Sequence, residues 1–145
     1  MRKIVSAGLL GLFSVAWLFA SSPADEYTGL YSFFRDNEAI QLNIQDGKLG
    51  GWVTAYGFLD SDKDTTIDRF FKQADLKGNQ IHFVTQNIHG CWIEFSGRVE
   101  RGDSPTRAKQ GYYELVGTLT EYVSDQDNHV SARQRQAVFK SMPQE

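Results

Sequence analysis

The stretch Ala39-Ile40-Gln41-Leu42-Asn43-Ile44-Gln45-Asp46-Gly47-Lys48-Leu49-Gly50-Gly51 decides the fold class. Ile40, Leu42 and Ile44 alternate with Gln41, Asn43 and Gln45, so an extended chain here has one apolar and one wet face. The alternation stops at Asp46-Gly47, a pair that tolerates positive φ and suits a tight hairpin. Strand, turn and returning strand are the beginning of an antiparallel sheet.

The same period of two extends in both directions, and no stretch holds an apolar repeat at helical spacing. Extended segments are predicted over residues 27–35, 38–45, 48–56, 67–76, 80–86, 91–101, 110–123 and 131–141. The fold class expected is all-β: an eight-stranded antiparallel up-and-down β-barrel, whose closure removes exposed strand edges. Short links at 36–37, 46–47 and 78–79 support consecutive pairing, while 57–66, 102–109 and 124–130 are longer. In a meander the odd-numbered links share one mouth, which places 57–66, 87–90 and 124–130 together.

Alternation also assigns the interior. Cys91, Ile93, Phe95 and Val99 are expected inside on the sixth strand, against Trp92, Glu94, Ser96 and Arg98 outside. By the same parity Leu49, Val53 and Ala55 point inward on the third strand, Phe70, Ala74 and Leu76 on the fourth, Ile81 and Phe83 on the fifth, and Leu115 and Leu119 on the seventh. Gly51, Gly97 and Gly117 fall on these inner faces, where a missing side chain relieves crowding or leaves room for a guest.

The barrel does not use the whole chain of 145 residues. Met1-Arg2-Lys3, an apolar run over residues 4–20 and the small residues before Asp25-Glu26 have the order of a secretory signal peptide, with cleavage expected after Ala24. Residues 25–145 then form a single exported domain, secreted or periplasmic, with no membrane span in the mature protein. Loss of Arg2 and Lys3 takes the net charge from −3 to −5, which argues against nucleic acid as a partner. One cysteine excludes a disulfide within the chain, and in an oxidising compartment Cys91 is expected to be buried and inert.

Gly29-Leu-Tyr31, Asp46-Gly47-Lys-Leu49-Gly-Gly51 and Phe95-Ser96-Gly97 together resemble the avidin and streptavidin family, which opens on a Gly-x-Trp strand, carries an Asp-Gly-x-Leu-x-Gly hairpin and has Trp-Ser-Gly on its sixth strand. The resemblance implies a calycin-type barrel, similar in architecture to lipocalins, over residues 27–140. It does not carry biotin binding with it. Phe33 stands where the family has an asparagine, Val53 for a tyrosine, Ala55 for a serine and Ala137 for an aspartate, leaving Asn37 as the one matching polar group. Phe95 and Thr85 replace two tryptophans of the aromatic box. Each lost partner of a dry ureido group costs about 1 to 3 kcal/mol, so tight biotin binding is expected to be absent.

What remains is an apolar wall of Tyr31, Phe33, Val53, Phe95 and Leu115, with Ala55 and Asn37 beside it, suited to a small hydrophobic or amphipathic ligand or to filling the barrel. Arg133 and Arg135 share the parity of Ala137 and Phe139, which places two guanidiniums toward one end of the lumen, able to hold a ligand carboxylate or to reach water at the mouth. Asp60, Asp62, Asp64 and Asp68 match part of a calcium loop, but Thr65 replaces its glycine and Phe71 its bidentate glutamate, so a solvated acidic loop is expected and no metal site is assigned. His89 beside Cys91 lacks any supporting constellation for nucleophilic catalysis. The expected function is a non-catalytic binding barrel without cofactor. The alternative is an interaction or inhibitor barrel of the cell envelope, using Trp52, Trp92, Tyr112 and Tyr122 on its outer face against another protein or a second copy of itself.

Overall fold

A computed structural model describes residues 22–145, so the expected leader, apart from Ser22 to Ala24, lies outside the described residues. A 3-10 turn, Pro23–Tyr27, precedes eight strands: β1 (Gly29–Ser32), β2 (Ala39–Gln45), β3 (Lys48–Tyr56), β4 (Thr66–Lys77), β5 (Gln80–Thr85), β6 (Cys91–Arg101), β7 (Tyr113–Ser124) and β8 (Val130–Lys140). All pair antiparallel with their chain neighbours in one sheet, in the order β1 to β8. The sheet curls into a half-barrel whose two edges touch only where β1 meets the end of the last strand, leaving most of the β8 edge unpaired rather than closed as expected: Tyr31 bridges Ser141, the Met142 N–H donates to the Leu30 carbonyl at 2.7 Å, and the Lys140 N–H donates to Ser32 Oγ at 3.2 Å.

The hairpin read from the sequence is present, with Ile44 opposite Leu49 and with Asp46 and Gly47 at φ 53° and 74°. Positive φ at both central residues is what a two-residue link needs to match strand twist. One apolar core fills the inside, and Ile40, Leu42, Val53, Phe83, Ile93, Phe95, Leu115 and Leu119 have no exposed surface. Aromatic rings run across it in a chain: Phe71 on Phe83 at 4.2 Å, Phe83 on Phe95 at 5.6 Å, and Phe95 on Phe139 at 5.7 Å.

On β4 the structure departs from strict alternation. Phe71 pairs with Thr85 but Gln73 pairs with Val84, so Lys72 is an extra residue in a bulge. Parity reverses across it. Ala74 and Leu76 pack against the core as expected, but Phe70 points outward and is 52% exposed, whereas Arg69, opposite the buried Val53, points inward. The first strand is also shorter than predicted, because Pro23–Tyr27 forms the turn and residues 33–38 form a link.

The space at the inner glycines is taken by the facing backbone and, at Gly51 and Gly97, by a neighbouring ring as well. A Cβ on Gly51 would lie 1.9 Å from the Gln41 carbonyl oxygen and 3.0 Å from the Phe71 ring; one on Gly97 would lie 2.2 Å from the Val116 oxygen and 2.9 Å from the Phe95 ring. The lower end of the barrel is covered by the chain's own start. The Gly47 N–H donates to the Asp25 carboxylate, Arg107 pairs with Glu26, and the Tyr27 ring meets Tyr113 edge-on at 5.1 Å. Tyr31 O–H donates to the Tyr27 carbonyl at 2.8 Å.

Candidate functional site at the open mouth

The opposite end is framed by the four links 33–38, 57–65, 86–90 and 125–129. Inside it the apolar lumen gives way to polar side chains, because the inward parity of several strands reaches Glu38, Arg69, Thr85, Cys91, Glu121 and Arg135. Glu38 is 8% exposed; its carboxylate accepts from the Arg35 and Tyr56 N–H groups and is salt-bridged to the Arg35 guanidinium at 3.2 Å. Thr85 Oγ1 accepts from the Ile93 N–H at 3.0 Å. Glu121 Oε1 accepts from Arg135 Nη2 at 3.1 Å.

Arg69 is different. It has no exposed surface, and none of its three guanidinium nitrogens has a hydrogen-bond partner; Arg135 Nε is likewise buried and unpartnered. An aromatic ring from a different link lies over each cation: Phe58 over Arg69 at 4.8 Å, and Phe34 over Arg135 at 3.5 Å. Burial pushes the Arg69 guanidinium below its ordinary pKa, with Cys91, Asp62, Glu121 and Glu38 close enough to act the other way. Burial pushes the Cys91 thiol up, while Arg69 draws it down. A cleft of about 480 Å³ bounded by Phe58, Glu121, Val123 and Arg133 opens beside this group.

Tyr31, Val53, Ala55, Phe95 and Leu115 all lie in the buried core. Phe33 is half-buried and stacks on Phe139 at 5.0 Å. Asn37 is exposed in the first link with φ 65°, away from the apolar wall. Arg133 is opposite Glu121 in register but exposed, whereas Arg135 is partly buried and ion-paired. The structure therefore brings Arg135 to the lumen, keeps Arg133 at its rim and adds Arg69, which sequence reasoning passed over. The signal was present in Ile67, Arg69 and Phe71, which alternate correctly above the bulge; carrying the parity of Ala74 and Leu76 backward through Lys72 inverted it.

The acidic link has no common focus. Asp60 is exposed beside Lys63, and Asp68 accepts from Thr54 on the sheet. Burial pushes the Asp62 carboxyl up, but hydrogen bonds from His89 and the Leu59 N–H more than offset it and hold the group below its ordinary value. His89 thus faces Asp62 at 3.2 Å, while Cys91 Sγ is 3.8 Å from the His89 carbonyl. On the outer wall His82 bonds Glu94 at 2.9 Å, Tyr122 O–H donates to the same carboxylate at 3.0 Å, and Trp92 stacks on Tyr122 at 5.0 Å. Among the described residues Asp125, Asp127 and His129 form the one close cluster of metal-ligating types, exposed in the last link.

Among the described residues no helix is long and apolar enough to cross a membrane. Comparison of the chain with family models, with curated proteins and with solved structures finds no match.

Proposed function

We propose that the barrel is an exported, non-catalytic binding protein for a small hydrophobic or amphipathic molecule that enters at the open mouth. One observation carries this reading: the interior is apolar below and charged above, with the charged ring at the one end that the chain does not cover with its own start. An amphipathic guest seated at the mouth matches this arrangement, its polar end toward the charged ring and its apolar end against Phe58 and Val123 in the cleft beside it. The avidin-like resemblance contributes architecture here and no biotin site. Native mass spectrometry of protein purified from its own host tests the reading, because it reports bound mass and oligomeric state together. A small-molecule adduct that is released on denaturation is expected.

A second reading has its own observation. Trp52 and Phe70 pack at 5.6 Å on the outer wall of β3 and β4 with Phe70 half exposed, and Trp92 and Tyr122 form a second aromatic pair on β6 and β7. Such a wall suits a protein partner or a second copy of the chain. A clean monomer with no adduct favours the protein partner, and a dimer without adduct favours self-association.

A further inference from the structure

We propose that Arg69 is the anchor of a buried anion site, and that the group it takes is the carboxylate of a small amphipathic molecule bearing a single negative charge. The inference deepens the binding-barrel reading and rests on it. A guanidinium offers five N–H donors in a planar fork, and leaving all of them dry and unpaired is costly. Arg69 does so with no exposed surface, whereas each nearby acid is already held by another group: Glu38 by Arg35, Glu121 by Arg135 and Asp62 by His89. Among the described residues these pairings leave Arg69 a fully buried cation without a hydrogen-bonding counterpart.

One negative charge compensates it, and two would meet repulsion from Glu38 and Glu121. A planar carboxylate also matches the fork bidentately, and Arg135 Nε offers a further free donor. The apolar remainder has a place as well. Phe58 lies over Arg69 and also borders the mouth cleft, so displacement of one ring joins the cleft to the cation.

The test compares octanoate with 1-octanol, two probes of equal chain length, by thermal shift and by calorimetry on the protein and on Arg69→Met and Arg69→Lys variants. Octanoate is expected to raise the melting temperature of the parent and to bind about tenfold or more tighter than octanol. Arg69→Met is expected to melt higher than the parent without ligand, having lost an unpaired buried charge, and to bind both probes alike. Equal binding of octanoate and octanol by the parent, or discrimination that survives in Arg69→Met, overturns the anion site but keeps a ligand-binding barrel. Binding of neither probe overturns both readings. A larger response to inorganic phosphate than to octanoate overturns the assignment of a single-charged carboxylate. Should Arg69→Met fail to fold, Arg69→Lys decides: it keeps the charge without the fork, so weaker discrimination supports the site and undiminished discrimination overturns it.

Discussion

Cys91 has no exposed surface, and its thiol and the hydroxyls of Tyr31 and Tyr113 are all pushed above their ordinary pKa values, each chiefly by burial, Tyr113 to about 12. The unfolded chain releases these protons at their ordinary values, about 8.5 for the thiol and about 10 for the phenols, while the folded chain holds them. Folded stability from these groups is therefore whole below their ordinary values and is lost as pH rises from those values through the raised folded ones. Melting temperature is expected to fall above about pH 8.5, and Cys91→Ala is expected to remove the first part of the decline. A second prediction concerns Gly97, directly opposite Gly117 in register. A methyl there meets backbone oxygen at 2.2 Å, which no side-chain rotation relieves. Gly97→Ala is expected to cost about 1 to 3 kcal/mol in chemical denaturation, while Gly78→Ala, with nothing within 4 Å, shows only the smaller strain of its φ of 61°.

At the scale of the strand, β4 shows where alternation stops being a sufficient guide. Seven of the strands carry one parity from end to end, and their inner residues could be read directly from the chain, Ile40 and Phe95 among them. A bulge leaves a weaker mark: Ile67 and Phe71 on one side and Ala74 and Leu76 on the other have opposite parity, and the partners across the ladder show that Lys72 between them is the extra residue. Phe70 was misplaced for that reason, and Arg69, the most unusual group at the mouth, was passed over with it. Deleting Lys72 tests the device. Without it one half of β4 turns over, exposing either Phe71 or Leu76 or forcing Phe70 inward, and loss of the cooperative unfolding transition is expected by circular dichroism. Glu38 escaped notice by a different route, since a carboxylate beside a turn reads as solvated until the Tyr56 N–H is seen to reach it from another strand.

For the whole molecule, the eight-segment layout and the shared mouth followed from turn residues and period alone, whereas the lower cover did not. It depends on pairs far apart in sequence, Asp25 with Gly47 and Glu26 with Arg107, which no local pattern announces. These contacts begin at Asp25, so removal of residues 1–24 leaves them intact. A chain starting at Asp25 is expected to melt as the longer chain does. One starting at Thr28 also loses Tyr27, with its ring contact to Tyr113 and the acceptor of the Tyr31 hydroxyl, and is expected to melt several degrees lower. Equal melting of the two truncated chains would show that the cover is ornamental to stability.

The seam between β1 and β8 sets how the barrel breathes. β1 spans four residues and β8 eleven, and among the described residues the two are joined only near Tyr31 and Ser141. Most of β8 is therefore held from one side, through β7, while its other edge carries Arg133 and Arg135, charges that discourage edge-to-edge pairing with a second chain. Amide protons along residues 131–137 that point to the open edge are expected to exchange with deuterium orders of magnitude sooner than those between β6 and β7. Opening there would part the wall beside Arg135 and Phe34, so the line of weakest protection in the barrel is also a side door to its charged end.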